Sequence, residues 1–182
     1  GGGIKNLETV EKIISLGVEK VAFGSVAFEQ PNLIKKAINC IGAQSVVIVL
    51  DYKKPRFSKD LYCFIKNGKV NTSIKLNNAF EMFSAYGVGE LVIQSIERDG
   101  TKQGYDMKIY ENLNKNKDNV ITLAGGAGTI EDLIEADRSF GPVGLAAGSL
   151  FVLHGLHDAV LLTYPTKDEK LSSLKRDKKI SN

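Results

Sequence analysis

At 182 residues and 43% hydrophobic, the chain has the size and composition of one ordinary domain, or part of one. Its net charge of +3 is confined to the end, where Thr166–Asn182 sets six Lys and Arg against three Asp and Glu; the neutral body argues against a nucleic-acid partner. No apolar run approaches the ~18 residues of a membrane span, no signal-peptide pattern opens the chain, and Cys40 and Cys63 lack metal-ligand spacing. The expectation is a cytoplasmic protein with two reduced, buried or half-buried thiols, no membrane partner, no metal and no cofactor.

In chain order, Leu7–Leu16 carries apolar residues at helical spacing, and Gly17 suits the position just past a helix end. Val18–Phe23 reads as a strand ending at Gly24-Ser25, and Pro31 opens a second helix, PNLIKKAINCIG. Ser45–Leu50 (SVVIVL) is the most β-branched run and does not alternate, as expected of a strand covered on both faces; it ends in Asp51. Leu61–Ile65 and Val70–Ile74 flank Asn67-Gly68, a strong hairpin signal. Ala79–Tyr86 reads as a helix, Glu90–Ile96 as a strand, Glu97–Asp106 as a long loop and Met107–Asn116 as a helix. Ile121–Ser149 then gives strand, glycine turn, helix, strand and a Gly-Ser turn, and a last helix is expected over Leu150–Leu162.

Glycines repeat at a constant offset of 124 residues. Gly1-Gly2 matches Gly125-Gly126, Gly17 matches Gly141, and Gly24-Ser25 matches Gly148-Ser149. Half of a ~250-residue (β/α)₈ barrel is about that long. The expected fold is therefore α/β, a (β/α)₈ TIM barrel of which strands 4–8 and the end of strand 3 are present. A doubly wound open sheet is the alternative. Residues 1–165 are expected to form one partial barrel, 166–182 a polar basic tail, with roughly 70 residues missing upstream. Such a piece is expected to be poorly stable alone, because a barrel short of strands leaves edges unpaired.

In such a barrel, chemistry sits at the carboxyl ends of the strands. Asp51 ends the most buried-looking strand; a partly desolvated carboxylate there suits general acid/base work, the alternative being a cap or an ion pair with Lys53. Asp99, with Gly100 and Thr101, sits in a glycine-flanked loop and has three open roles: capping, ligation or catalysis. Two glycine-rich clamps, Gly2 with Gly24 and Ser25, and Gly125 and Gly126 with Gly148 and Ser149, suit phosphate, since backbone N–H groups approach an anion closely there. Their opposed placement fits a small-molecule substrate phosphorylated at both ends. At the other ends of two strands stand Lys20 and Glu90, costly in a barrel floor unless paired. His154 and His157 read as ordinary surface histidines.

The segments GGGI at Gly1–Ile4, VVIVLDYK around Asp51, SIERDGTKQGYD from Ser95 to Asp106, GGAG at Gly125–Gly128 and AAGSLF at Ala146–Phe151 carry a resemblance to the cyclase subunit of imidazole glycerol phosphate synthase. The similarity runs to about Tyr164. It implies that Asp51 is one of two catalytic aspartates, the other lying on an absent first strand. It also implies that Gly2, Gly24 and Ser25 hold one phosphate, and that Asp99, Gly100, Gly126, Gly148 and Ser149 hold the other. A glutaminase partner is implied on the N-terminal face, sending ammonia past a gate to which Lys20 and Glu90 belong. Gly24-Ser25 departs from the usual Asn-Thr. Tyr52–Phe57 (YKKPRF) and Leu161–Thr166 (LLTYPT) are more similar to a paralogous branch associated with acetamidino modification of surface-polysaccharide sugars, for which Lys53, Lys54, Arg56 and Lys59 would meet a nucleotide-linked substrate or simply be solvated. The functional expectation is an ammonia-using lyase/cyclase subunit. The alternatives are the sugar paralogue, a non-catalytic barrel scaffolding a glutaminase, and a sugar-phosphate isomerase.

Overall fold

The computed structural model describes residues 2–113, 120–140, 144–154, 159–160 and 166. Gly1, Gly141, His157 and nearly all of the expected basic tail lie outside them.

Helix α1 (Leu7–Ser15) starts at Asn6, whose side chain accepts the Thr9 N–H at 2.9 Å, and stops where Gly17 donates its N–H to the Ile14 carbonyl. Strand β1 (Val21–Phe23) follows, shorter than expected because Val18 and its neighbours are exposed. A helix not anticipated from sequence, α2 (Ser25–Glu29), precedes α3 (Pro31–Ile41), which buries Leu33, Ile34 and Ala37 on one face. Strand β2 (Val46–Lys53) leads into the hairpin β3 (Tyr62–Ile65) and β4 (Val70–Lys75), whose turn at Lys66-Asn67-Gly68 has positive φ throughout. Then come α4 (Leu76–Ala85), β5 (Glu90–Ser95), α5 (Met107–Leu113), β6 (Val120–Ala124), α6 (Ile130–Phe140) and β7 (Gly144–Ala146).

The five strands β1, β2, β5, β6 and β7 are parallel and pair strictly in chain order. A doubly wound sheet would need a reversal of that order, so the alternative is excluded. The result is a curled parallel sheet with helices packed on it, a partial (β/α)₈ barrel, with the hairpin paired antiparallel to the end of β2 at Tyr52 and Lys53. Register separates two faces. Ile48, Leu91 and Ile121 share one row and Leu50, Ile93 and Leu123 the next; all are buried under the helices. Fully burying side chains of this kind is worth about 1.5–3 kcal/mol each. The alternate residues form inward rows: Val47–Glu90–Val120, then Val49–Val92–Thr122–Gly144, then Asp51–Gln94–Ala124–Ala146.

The end of the chain corrects one expectation. In place of a helix over Leu150–Leu162, α7 covers only Ser149–Val152, and β8 (Leu153–His154) pairs antiparallel with β9 (Ala159–Val160). Apolar spacing does not separate strand from helix over so short a run, and Gly155 in its middle disfavours a continuous helix.

Gly126 has φ +110, and a Cβ there would collide with the Gly104 carbonyl, whereas one on Gly148 would meet nothing within 4 Å. Gly126→Ala is expected to cost about 2 kcal/mol or more and Gly148→Ala no more than about 0.5, read from urea midpoints. Equal shifts would refute this account of the turn.

Candidate active site at the carboxyl ends of the strands

Asp51 projects from the carboxyl end of β2 on the inward face, level with Gln94. Burial, then the negative charge of Asp99, raises its carboxyl above the ordinary range. Of the two cysteines Cys40 is exposed, against expectation, while Cys63, fully buried on β3, is pushed up to about 12 by burial and then by Asp51. Its thiol is therefore inert near neutrality, and Asp51 is the group in this corner suited to move a proton. The alternative of an ion pair with Lys53 is not realised, for the Lys53 ammonium donates to the Gly68 carbonyl at 3.0 Å and lies over the Phe64 ring at 4.4 Å.

The loop Glu97–Asp106 delivers Asp99 to this corner. Its Arg98 guanidinium, a residue sequence reading passed over, donates from Nη1 to the carbonyls of Gln103, Gly104 and Tyr105 at 3.3, 3.1 and 3.2 Å. The Arg98 carbonyl in turn accepts from the Thr101 N–H and hydroxyl, and the Asp99 N–H donates to the Ser95 carbonyl. Gly100 turns the chain at φ +76. The loop then docks on three strand ends. Gly104 donates to the Gly126 carbonyl at 2.9 Å, the Tyr105 hydroxyl to the Ala146 carbonyl at 3.1 Å, and the Tyr52 hydroxyl to Asp106 at 3.2 Å.

Gly125 and Gly126 follow β6 as expected, and Gly148 and Ser149 follow β7. At the start of α6, however, the Gly128 and Thr129 amides both donate to Asp132 Oδ2, at 2.8 and 2.9 Å. An anion held at this turn would meet amides nearer Gly125-Gly126 than those two. Gly24 and Ser25 lie at the end of β1, where the Ser25 hydroxyl accepts the Lys66 N–H at 2.9 Å and Lys66 Nζ pairs with Glu29 at 3.1 Å. The hairpin turn is thus fastened beside that clamp. Gly2 is exposed, with φ +77. Lys54, Arg56 and Lys59 are exposed on the loop after β2, Arg56 stacked 5.5 Å over the Phe57 ring.

At the opposite ends of the strands, Lys20 Nζ and Glu90 Oε2 form an ion pair at 2.7 Å. Thr122, which no sequence signal singled out, donates its hydroxyl to Glu90 Oε1 at 2.5 Å. Burial alone would raise the Glu90 carboxyl; the bonds from Lys20 and Thr122 and the charge of Lys20 outweigh it and hold the group below the ordinary range. Among the described residues no cluster of His, Cys, Asp and Glu is arranged to hold a metal, and no helix is long and apolar enough to cross a membrane.

Comparison with known proteins shows what the chain is similar to. Residues 1–157 match the family model described as "Histidine biosynthesis protein". The chain is 40% identical over 170 residues to a Leptospira interrogans protein with the provisional name imidazole glycerol phosphate synthase subunit HisF, covering 93% of this chain and 67% of that protein. Against imidazole glycerol phosphate synthase subunit HisF of Sulfolobus acidocaldarius it is 37% identical over 134 residues, 74% of this chain and 53% of the relative. Against the same-named subunit of Clostridium botulinum the identity is 34% over 152 residues, covering 83% and 60%. The chain thus spans about two thirds of the length of the first relative and less of the others.

The like charge of Asp99 helps to raise the Asp51 carboxyl, so Asp99→Asn should lower that pKa while leaving it above the ordinary range, because burial remains. With a raised folded-state pKa, the stability that Asp51 contributes is full below its unfolded pKa and fades as pH rises through the folded one. Carboxyl ¹³C titration of the two proteins checks the shift; an unchanged Asp51 would show that Asp99 does not act on it.

Proposed function

The chain belongs to the histidine biosynthesis protein family, and from that premise we propose that it is the ammonia-accepting synthase subunit of a glutamine amidotransferase pair, with lyase/cyclase chemistry of the imidazole glycerol phosphate synthase type. What carries the reading is one inward face with a different chemistry at each end. Lys20 and Glu90 stand at the amino ends of the strands, and Asp51, with its raised proton affinity, at the carboxyl ends.

On this reading a glutaminase docks at the amino-end face and releases ammonia past the Lys20–Glu90 pair. Ammonia follows the inward rows, lined by Val49, Val92 and Thr122, to Asp51. A small molecule phosphorylated at both ends spans the mouth. One phosphate lies at Gly2, Gly24 and Ser25, the other at Gly125-Gly126 and Gly148-Ser149 beside Asp99, Gly100 and Thr101. Asp51 takes a proton from the attacking nitrogen and returns one to the leaving group, a task for which a half-buried carboxyl with raised pKa is suited. No cofactor is called for. The exposed Lys54, Arg56 and Lys59 favour a second reading, transfer of ammonia to a nucleotide-linked acetamido sugar as in the acetamidino-modifying paralogues.

The full-length protein, supplied with ammonium in place of a glutaminase, should turn over the phosphoribosyl formimino substrate, and Asp51→Asn should reduce the rate by about 10²–10⁴-fold. Turnover of a nucleotide-linked acetamido sugar instead would select the paralogue. A protein inactive on both that stimulates a bound glutaminase would establish the scaffold.

A further inference from the structure

We propose that Thr122 and Gly144 form a rigid seat for the Glu90 carboxylate, making Thr122 a positioning residue of the gate at the amino ends of the strands; the gating role rests on the function proposed above. A carboxylate is held away from water only where its oxygens are partnered. The Glu90 side chain is 14% exposed, and each oxygen has a donor: Lys20 Nζ on Oε2 and the Thr122 hydroxyl on Oε1.

The two donors differ mechanically. Lys20 is 51% exposed on a four-carbon stem, so its hold competes with water and with the freedom of the chain. Thr122 is β-branched, stiff at χ1 and rooted within β6, so its hydroxyl position is set by the sheet. Gly144 makes that position possible. It is the register partner of Thr122 on β7, and a Cβ there would occupy the space of the Thr122 hydroxyl. Lys20, Glu90 and Thr122 together form a latch from the approach to β1 across to β6, over the inward face where the proposed ammonia path begins.

Thr122→Val removes the hydroxyl and keeps the branched shape, and Thr122→Ser restores it. Two measurements on the full-length protein, the second in complex with its glutaminase, decide the matter: carboxyl ¹³C titration of Glu90, and glutamate released per product formed. Thr122→Val should raise the Glu90 pKa from its lowered value, the lost bond being one that lowers it. It should also raise the glutamate-to-product ratio about threefold or more as ammonia escapes, while Thr122→Ser stays close to wild type on both. An unmoved Glu90 pKa in Thr122→Val overturns the seat. A raised pKa with an unchanged ratio overturns the gating role. If wild type forms no product from ammonium, the proposed function and the gating role with it are overturned, and the Glu90 titration still decides the seat.

Discussion

One guanidinium braces the loop at the carboxyl ends of the strands. Arg98 gathers the carbonyls of Gln103, Gly104 and Tyr105, groups that would otherwise compete for water at the mouth of a curled sheet. With the loop folded on itself, its flanks become docking groups: Gly104 reaches β6, Tyr105 reaches β7 and Asp106 reaches β2. Three strand ends are thereby fixed to a single loop. The carboxylate of Asp99 is carried on the same loop, so the element that braces the mouth also sets the electrostatic surroundings of Asp51.

The sheet divides its labour by face. Outward rows are apolar and fully covered by helices, and supply the hydrophobic stabilisation. Inward rows are, Val47 apart, half-buried or exposed and hold the polar groups. Along that inward face the charge is not scattered. A cation–carboxylate–hydroxyl set stands at one end, aliphatic side chains fill the middle, and a carboxyl with raised pKa stands at the other end. This graded face is what a conduit between two chemistries requires, and it underlies the proposed path from glutaminase to substrate.

Much of this was legible in the residues. The Asn67-Gly68 turn, the Pro31 helix start, the Gly17 stop and the unalternating SVVIVL run each express a local rule, and each element stands near its expected place. The 124-residue glycine offset reported the barrel through its half-turn symmetry. What escaped was set by neighbours distant in sequence. Thr122 sits inside VITLA, where a threonine reads as an ordinary strand residue; its meaning comes from Glu90, 32 residues away. Gly144 carries no signal of its own in the sequence, yet the space it leaves is filled by Thr122 from the next strand. Arg98 reads as one more loop charge until its loop closes around it. The helix expected after Leu150 failed for the opposite reason, since a short apolar run carries no periodicity strong enough to choose its own form.

The fastening of the hairpin turn to Ser25 has a thermodynamic side. The Ser25 hydroxyl accepts from the Lys66 amide, which leaves its own hydrogen to give away. An anion taking that hydrogen would draw electron density through the oxygen and change the strength of the Lys66 bond, since chained hydrogen bonds polarise one another. Occupancy of the proposed clamp and closure of the hairpin would then be coupled. By linkage, whatever ligation at Ser25 does for the hairpin, the hairpin does in equal measure for ligation. The affinity of the proposed phosphate clamp would therefore depend in part on a turn more than forty residues further along the chain.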